Sequence, residues 1–240
     1  MANDLSLAEN VNLLESNEYD EPKDLYGKML EPINNAIQEL IEESPDFIKL
    51  SKLHLDRNFI KRGIMTISYG VTPKGIANQL LEDHFKFSGK INNKSIYIPK
   101  NEDYNNIELY KNEINKLSEI IYNLLFKVHP LLDELINYFN NMVKLLNKFN
   151  LPIVWITSLG LYITQQYPNF IKYDIINSIL SQRKKVTLRK SILNSINNVK
   201  QVNAFVPNFI YSLNAAYIAL LFEKLSNSEY KNLFYFDILL

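Results

Sequence analysis

The sequence has no cysteine, which excludes disulfides and thiolate metal sites. Its three histidines, His54, His84 and His129, stand far apart without ligand spacing, so nothing points to a zinc site. Net charge is also missing. The 26 Lys and Arg balance 26 Asp and Glu, so no global field draws in nucleic acid and any basic footprint must be local. No apolar run reads as long enough to span a bilayer and no signal peptide is evident, so no membrane partner is expected. Glycine and proline are sparse, at 6 and 9. What remains is a chain of 240 residues, 47% hydrophobic and rich in Asn, Ile, Lys, Leu and Tyr. It is long enough for one large domain or two small ones. That residue usage fits an AT-rich coding sequence of the kind organelle genomes carry.

One stretch organises the rest: Arg57-Asn58-Phe59-Ile60-Lys61-Arg62-Gly63-Ile64-Met65-Thr66-Ile67-Ser68-Tyr69-Gly70. As a helix it places Arg57, Lys61, Met65 and Tyr69 on one i, i+4 ridge. Ile60, Ile64 and Ile67 fall on an adjacent apolar face. Gly70 suits the position just past a helix end, and Pro73 follows. The edge suits a triphosphate: Arg offers a planar fork, Lys a point charge one turn on, and Tyr a ring for a base or a hydroxyl for a sugar. By spacing alone, a solvated basic edge on an amphipathic helix is the favoured reading, because an Arg-x3-Lys pair is common on helices.

Arg57, Lys61, Arg62, Met65, Thr66, Tyr69 and Gly70 together match the pattern Arg-x3-Lys-Arg-x2-Met-Thr-x2-Tyr-Gly. That pattern resembles the fingers-helix motif of single-subunit DNA-directed RNA polymerases of the bacteriophage and mitochondrial type, above all those of mitochondrial linear plasmids. Further matches are Trp155, Thr157, Gly160 and Gln165 or Gln166, then Lys200-Gln201 and Pro207-Asn208-Phe209-Ile210. The resemblance implies a mainly α fold, the fingers region of a right-hand polymerase with a few short palm strands. Residues 1–56 are expected to lead from palm to fingers, 57–200 to be fingers, and 201–240 to start the returning palm. It implies template-dependent nucleotidyl transfer with a DNA template, RNA product, ribonucleoside triphosphates and Mg2+, in a mitochondrion. Lys61 and Asp237 are the implied catalytic residues, with Asp237 the implied metal ligand. Arg57, Lys61, Met65, Tyr69, Gly70 and Tyr211 are the implied substrate contacts. Departures accompany these matches. Tyr211, Asn214 and Tyr217 stand where the family carries His, Asp and His, and Phe236 precedes Asp237 where His is expected. The stretch bearing the family's first metal aspartate is expected before the start of this chain. The chain is therefore expected to be a fragment, inactive alone. A noncatalytic remnant that only binds nucleotide or nucleic acid is the alternative.

Elsewhere the pattern predicts a helix from Pro22 to about Glu42, capped by Asp20 or Glu21 and kinked or divided at Pro32. Thr72 and Pro73 should open a second helix after the motif. Residues 86–106 read as loop with a short strand at 95–98. Ile107 to Phe149 reads as helix, restarting at Pro130, with His129 a junction residue. Residues 152–157 and 161–164 read as strands around Ser158-Leu159-Gly160, with Trp155 in a core. The run Arg183-Lys184-Lys185, Arg189 and Lys190 is either a solvated turn or a phosphate-backbone contact. Apolar residues from Tyr217 to Leu225 continue a helix, and 233–240 read as a strand carrying Asp237.

Overall fold

The computed structural model describes residues 4–15, 21–101, 106–177 and 184–226. The fold is mainly α with small antiparallel sheets. It divides into two compact units, Met1–Asn137 and Tyr138–Leu240.

In the first unit, α1 (Leu5–Asn10) precedes α2 (Leu25–Glu43). The α2 cap is Asp24, whose carboxylate accepts the Gly27 N–H at 3.0 Å, rather than Asp20 or Glu21. Pro32 lies inside α2 and does not divide it, because buried Met29, Ile33 and Ile37 pin the helix on both sides of it. A 3-10 segment (Pro45–Lys52) then leads to α3 (Arg57–Ile67). Asp56 caps α3 through the Phe59 N–H at 2.7 Å. Phe59, Ile60, Ile64 and Ile67 are buried, as the apolar periodicity requires. Thr72 caps α4 (Pro73–His84) through the Gly75 N–H at 3.3 Å. At Gly63, α3 and α4 meet closely: an added Cβ would sit 3.1 Å from Ile76 Cγ2. The core closes on α5 (Lys111–Val128), through Ile114, Leu117, Ile121 and Leu125.

Residues 86–106 are not simply loop. Strands β1 (Phe85–Ile91) and β2 (Lys94–Pro99) form a hairpin, extended by β3 (Leu109–Tyr110). Asn92 and Asn93 take φ of 49° and 61°, the left-handed pair that a two-residue primed turn needs. The expected strand at 95–98 lies within β2. His129 is fully buried between α5 and α6 (Pro130–Lys148), and its Nδ1 lies 3.3 Å from Asp4 Oδ2.

In the second unit, β4 (Ile153–Ile156) pairs with β5 (Tyr162–Gln165) around Gly160, whose φ is 78°. Strands β6 (Pro168–Asn177) and β7 (Lys184–Ile196) form a long ribbon not anticipated from the sequence. Helix α7 (Asn198–Ser226) starts well before Pro207. Val143, Ile153, Phe205 and Val206 form the core, with Trp155 edge-on to Phe205 at 5.6 Å. The Trp155 indole N–H donates to Ser212 Oγ at 2.9 Å, so this ring is a packing element. Gln165 and Gln201 are buried and exchange hydrogen bonds: Gln165 Nε2 donates to the Gln201 carbonyl at 2.9 Å, and Gln201 Nε2 to the Gln165 carbonyl at 3.1 Å. Asn208 Nδ2 adds a bond to Gln165 Oε1 at 2.8 Å. One expectation is corrected here. Helix α7, at 29 residues and with an 18-residue window of mean hydropathy 1.5, is long and apolar enough by length and composition alone to cross a bilayer. Lys200, Gln201, Asn203, Asn208, Ser212 and Asn214 interrupt its apolar residues, so no long unbroken run announces it, and Gln201, Asn208 and Ser212 tie it to β4 and β5. The expected strand at 233–240 and Asp237 lie outside the described residues.

Candidate nucleotide-binding site

Helix α3 is held by its buried face, which leaves the opposite edge to solvent. Arg57, Lys61 and Met65 are exposed along that edge, and Tyr69 is half-buried in the turn that ends it. Ser68 keeps a helical backbone (φ −61°, ψ −23°) after the last helical residue. The Gly70 N–H then bonds the Ile67 carbonyl at 2.9 Å, and the Val71 N–H bonds the Thr66 carbonyl at 3.1 Å. This paired closure needs a left-handed residue, and Gly70 supplies it with φ of 78°. Arg57, Lys61, Met65, Tyr69 and Gly70 thus fall on one helix edge and its terminating turn.

The two cations differ. Lys61 makes no hydrogen bond or ion pair among the described residues. Arg57 Nε donates to Asp24 Oδ2 at 2.7 Å, and its guanidinium lies 5.3 Å from the Tyr26 ring centre. Burial acts to raise the Asp24 carboxyl. The hydrogen bonds from Arg57 and the Gly27 N–H outweigh it, so the pKa lies below the ordinary carboxylate value. Arg62 serves another purpose, bridging α3 to α4 through Asp83 Oδ1 at 2.6 Å and Glu82 Oε2 at 3.3 Å. Thr66 joins in, within 3.1 Å of Gln79 Oε1. Two motif residues therefore lock the helix pair, while Arg57 and Lys61 point charge outward.

Beside the edge lies a cavity of about 490 Å³, lined by Leu25, Tyr26, Ile64, Met65 and Tyr69 with residues of α1. It is mostly apolar and has the dimensions of a small-molecule site. Sequence reasoning gave Asp24 and Tyr26 no role in the site, although Asp24-Leu25-Tyr26 resembles the family's segment after its first catalytic motif; the contact with Arg57 spans 33 residues.

Tyr211 lies on α7 in the second unit and is exposed. Lys185, Arg189 and Lys190 lie on β7 and are exposed, while Arg183 is outside the described residues. Register puts Lys172 opposite Arg189 on one ribbon face, where Lys185 pairs with Asp174 at 2.8 Å. The opposite face carries exposed Ile171, Tyr173, Ile175, Val186 and Leu188. Among the described residues, no group of three or more His, Asp or Glu is placed to hold a metal ion.

A family model described as DNA-dependent RNA polymerase matches residues 1–235. The chain belongs to this family, the single-subunit phage and mitochondrial type. A probable DNA-directed RNA polymerase of Neurospora crassa is 38% identical over 236 residues, covering 96% of this chain and 26% of that protein. Another of Agaricus bitorquis is 34% identical over 233 residues, covering 95% and 20%. The mitochondrial DNA-directed RNA polymerase of Schizosaccharomyces pombe is 26% identical over 239 residues, covering 95% and 19%. The chain thus spans about a quarter or less of the length of these relatives.

Proposed function

We propose that this chain is the fingers region, with adjoining palm, of a DNA-directed RNA polymerase, and that α3 is its nucleotide-facing helix. The exposed edge of Arg57 and Lys61, fixed by a buried opposite face, is the observation that carries this reading. Arg57 holds phosphate oxygens with its planar fork, and Lys61 neutralises charge on the leaving pyrophosphate. Met65 and Tyr69 flank the base and sugar, and Gly70 closes the turn that sets Tyr69. Tyr211 occupies the position that the resemblance assigns to the ribose 2′-hydroxyl. In polymerase terms, residues 1–56 lead into the fingers, 57–200 form them and 201–240 begin the returning palm. DNA template, RNA product and ribonucleoside triphosphates are the partners, and the exposed cations of β6 and β7 suit a phosphate backbone. The mitochondrion is the compartment, supported by mitochondrial relatives.

Polymerases of this family use divalent metal ions, and Mg2+ with Asp237 as a ligand is the form we propose. The described residues supply no ligand set, so no step is routed through the ion. A second reading, binding without catalysis, is favoured by Tyr211, Asn214 and Tyr217, which replace the family's His, Asp and His. Titration with AMP, ADP and ATP tests the proposed site. Affinity rises with phosphate count and falls with salt if the helix edge reads phosphate. Equal affinities for the three nucleotides overturn the reading.

A further inference from the structure

Three residues at the start of α2 converge on Arg57. Asp24 Oδ2 accepts the Gly27 N–H at 3.0 Å and the Arg57 Nε–H at 2.7 Å. The Tyr26 ring lies 5.3 Å from the guanidinium carbon. Gly27 is what lets the carboxylate lie there, since an added Cβ would stand 2.9 Å from Asp24 Oδ2. The cap contact fixes the carboxylate from the α2 side, independently of Arg57. The contact with Arg57 engages Nε only: among the described residues, neither Nη of Arg57 has a hydrogen-bond partner.

We propose that Asp24 is a positioning residue for Arg57: it grips the guanidinium by its Nε side, over Tyr26, and leaves the Nη pair aimed at a nucleoside triphosphate. This rests on the nucleotide reading of α3. A guanidinium on a flexible stem loses rotamer freedom when it grips phosphate, and an anchor made before binding removes part of that cost. The aromatic face beneath limits tilt without taking a donor. Asp24 does not touch the nucleotide and acts only through Arg57.

A competing role for Asp24, as a carboxylate that phosphate must displace, predicts the opposite response, so one experiment separates the two. Gly27→Ala pushes the Asp24 carboxylate aside without changing any charge. The lost Asp24 cap destabilises α2 and alanine in place of glycine favours helix, so the two effects offset and the urea midpoint moves little. In the full chain, the Arg57 Nε–H resonance shifts, and the Kd for ATP rises about three- to tenfold, the effect of losing one oriented hydrogen-bonded contact. Asp24→Asn keeps a competent cap and also weakens ATP binding, although it removes a negative charge. Tighter ATP binding in either variant, or an unmoved Arg57 signal in Gly27→Ala, overturns the proposal. So does an ATP affinity in Gly27→Ala equal to that of the wild type. Wild-type protein whose 57–70 amides ignore ATP overturns the α3 reading and this inference together. Wild-type binding that Gly27→Ala leaves unaltered overturns this inference alone.

Discussion

Ile60 and Lys61 are neighbours in sequence with opposite duties, and exchanging each for alanine separates them. Ile60 is 0% exposed and belongs to the core formed by α2, α3, α4 and α5. Ile60→Ala removes three buried carbons and leaves a void that close-packed Ile and Leu neighbours fill only partly. Such truncations cost about 2–5 kcal/mol. Taking about 3 kcal/mol and a urea slope of about 2 kcal/mol/M for a unit of this size, the midpoint falls by about 1.5 M. Lys61 is exposed and without a partner among the described residues. Lys61→Ala therefore stays within about 0.5 kcal/mol of the wild type. Urea unfolding followed by far-UV circular dichroism reads both. A loss below about 1 kcal/mol at Ile60, or above about 1 kcal/mol at Lys61, contradicts the packing assigned to α3.

Three other outcomes are expected. Gln165→Leu removes the Nε2 donor to the buried Gln201 backbone and side-chain carbonyls and the Oε1 acceptor for Asn208, costing about 1–3 kcal/mol in urea unfolding, with α3 amide shifts unchanged. His84 is half-buried, and burial holds its pKa below 6.5. Just below pH 6.5 the unfolded chain takes up a proton that the native chain resists, so stability is complete above pH 6.5 and falls as pH drops through the native value. Measured urea midpoints show that acid slope in the wild type and lose it in His84→Gln. Primer extension with template, Mg2+ and four ribonucleotides yields no product from this chain alone, because the described residues assemble no carboxylate group for metal. Template-dependent product that vanishes in Asp237→Ala refutes that expectation.

Much of the helical frame was legible because it follows local rules. The Ile60, Ile64 and Ile67 spacing marked the buried face of α3, and Thr72-Pro73 and Pro130 marked helix starts. Gly70 marked a stop, though the regular helix ends at Ile67 and Tyr69 sits in the turn beyond. The Asn92-Asn93 hairpin was missed because two asparagines without glycine read as a polar loop, although both tolerate left-handed backbone. The β6–β7 ribbon was missed although its alternation is there to read: Ile171, Tyr173 and Ile175 alternate with Lys172 and Asp174, and Val186 and Leu188 with Lys185, Thr187 and Arg189, but the basic residues of β7 were grouped as a charge run instead. At the candidate site, spacing sufficed to group Arg57, Lys61, Met65 and Tyr69. It could not reveal that Arg57 is gripped by Asp24 and Tyr26, since a contact between α2 and α3 exists only after the core forms. Nor could it separate Arg62, which clamps α4, from Lys61 beside it.

The central claim is that the exposed edge of α3 receives the nucleotide's phosphates. Its most direct measurement is amide chemical-shift mapping of wild-type chain, Lys61→Ala and Arg57→Ala during ATP titration. Two charge-assisted contacts, each worth about 1.5–3 kcal/mol and weakened by solvent, give a Kd on the order of millimolar. The account predicts wild-type shifts concentrated in residues 57–70, weaker binding in both variants, and further weakening as salt rises. Shifts centred elsewhere, or a titration that Lys61→Ala leaves unchanged, contradict it.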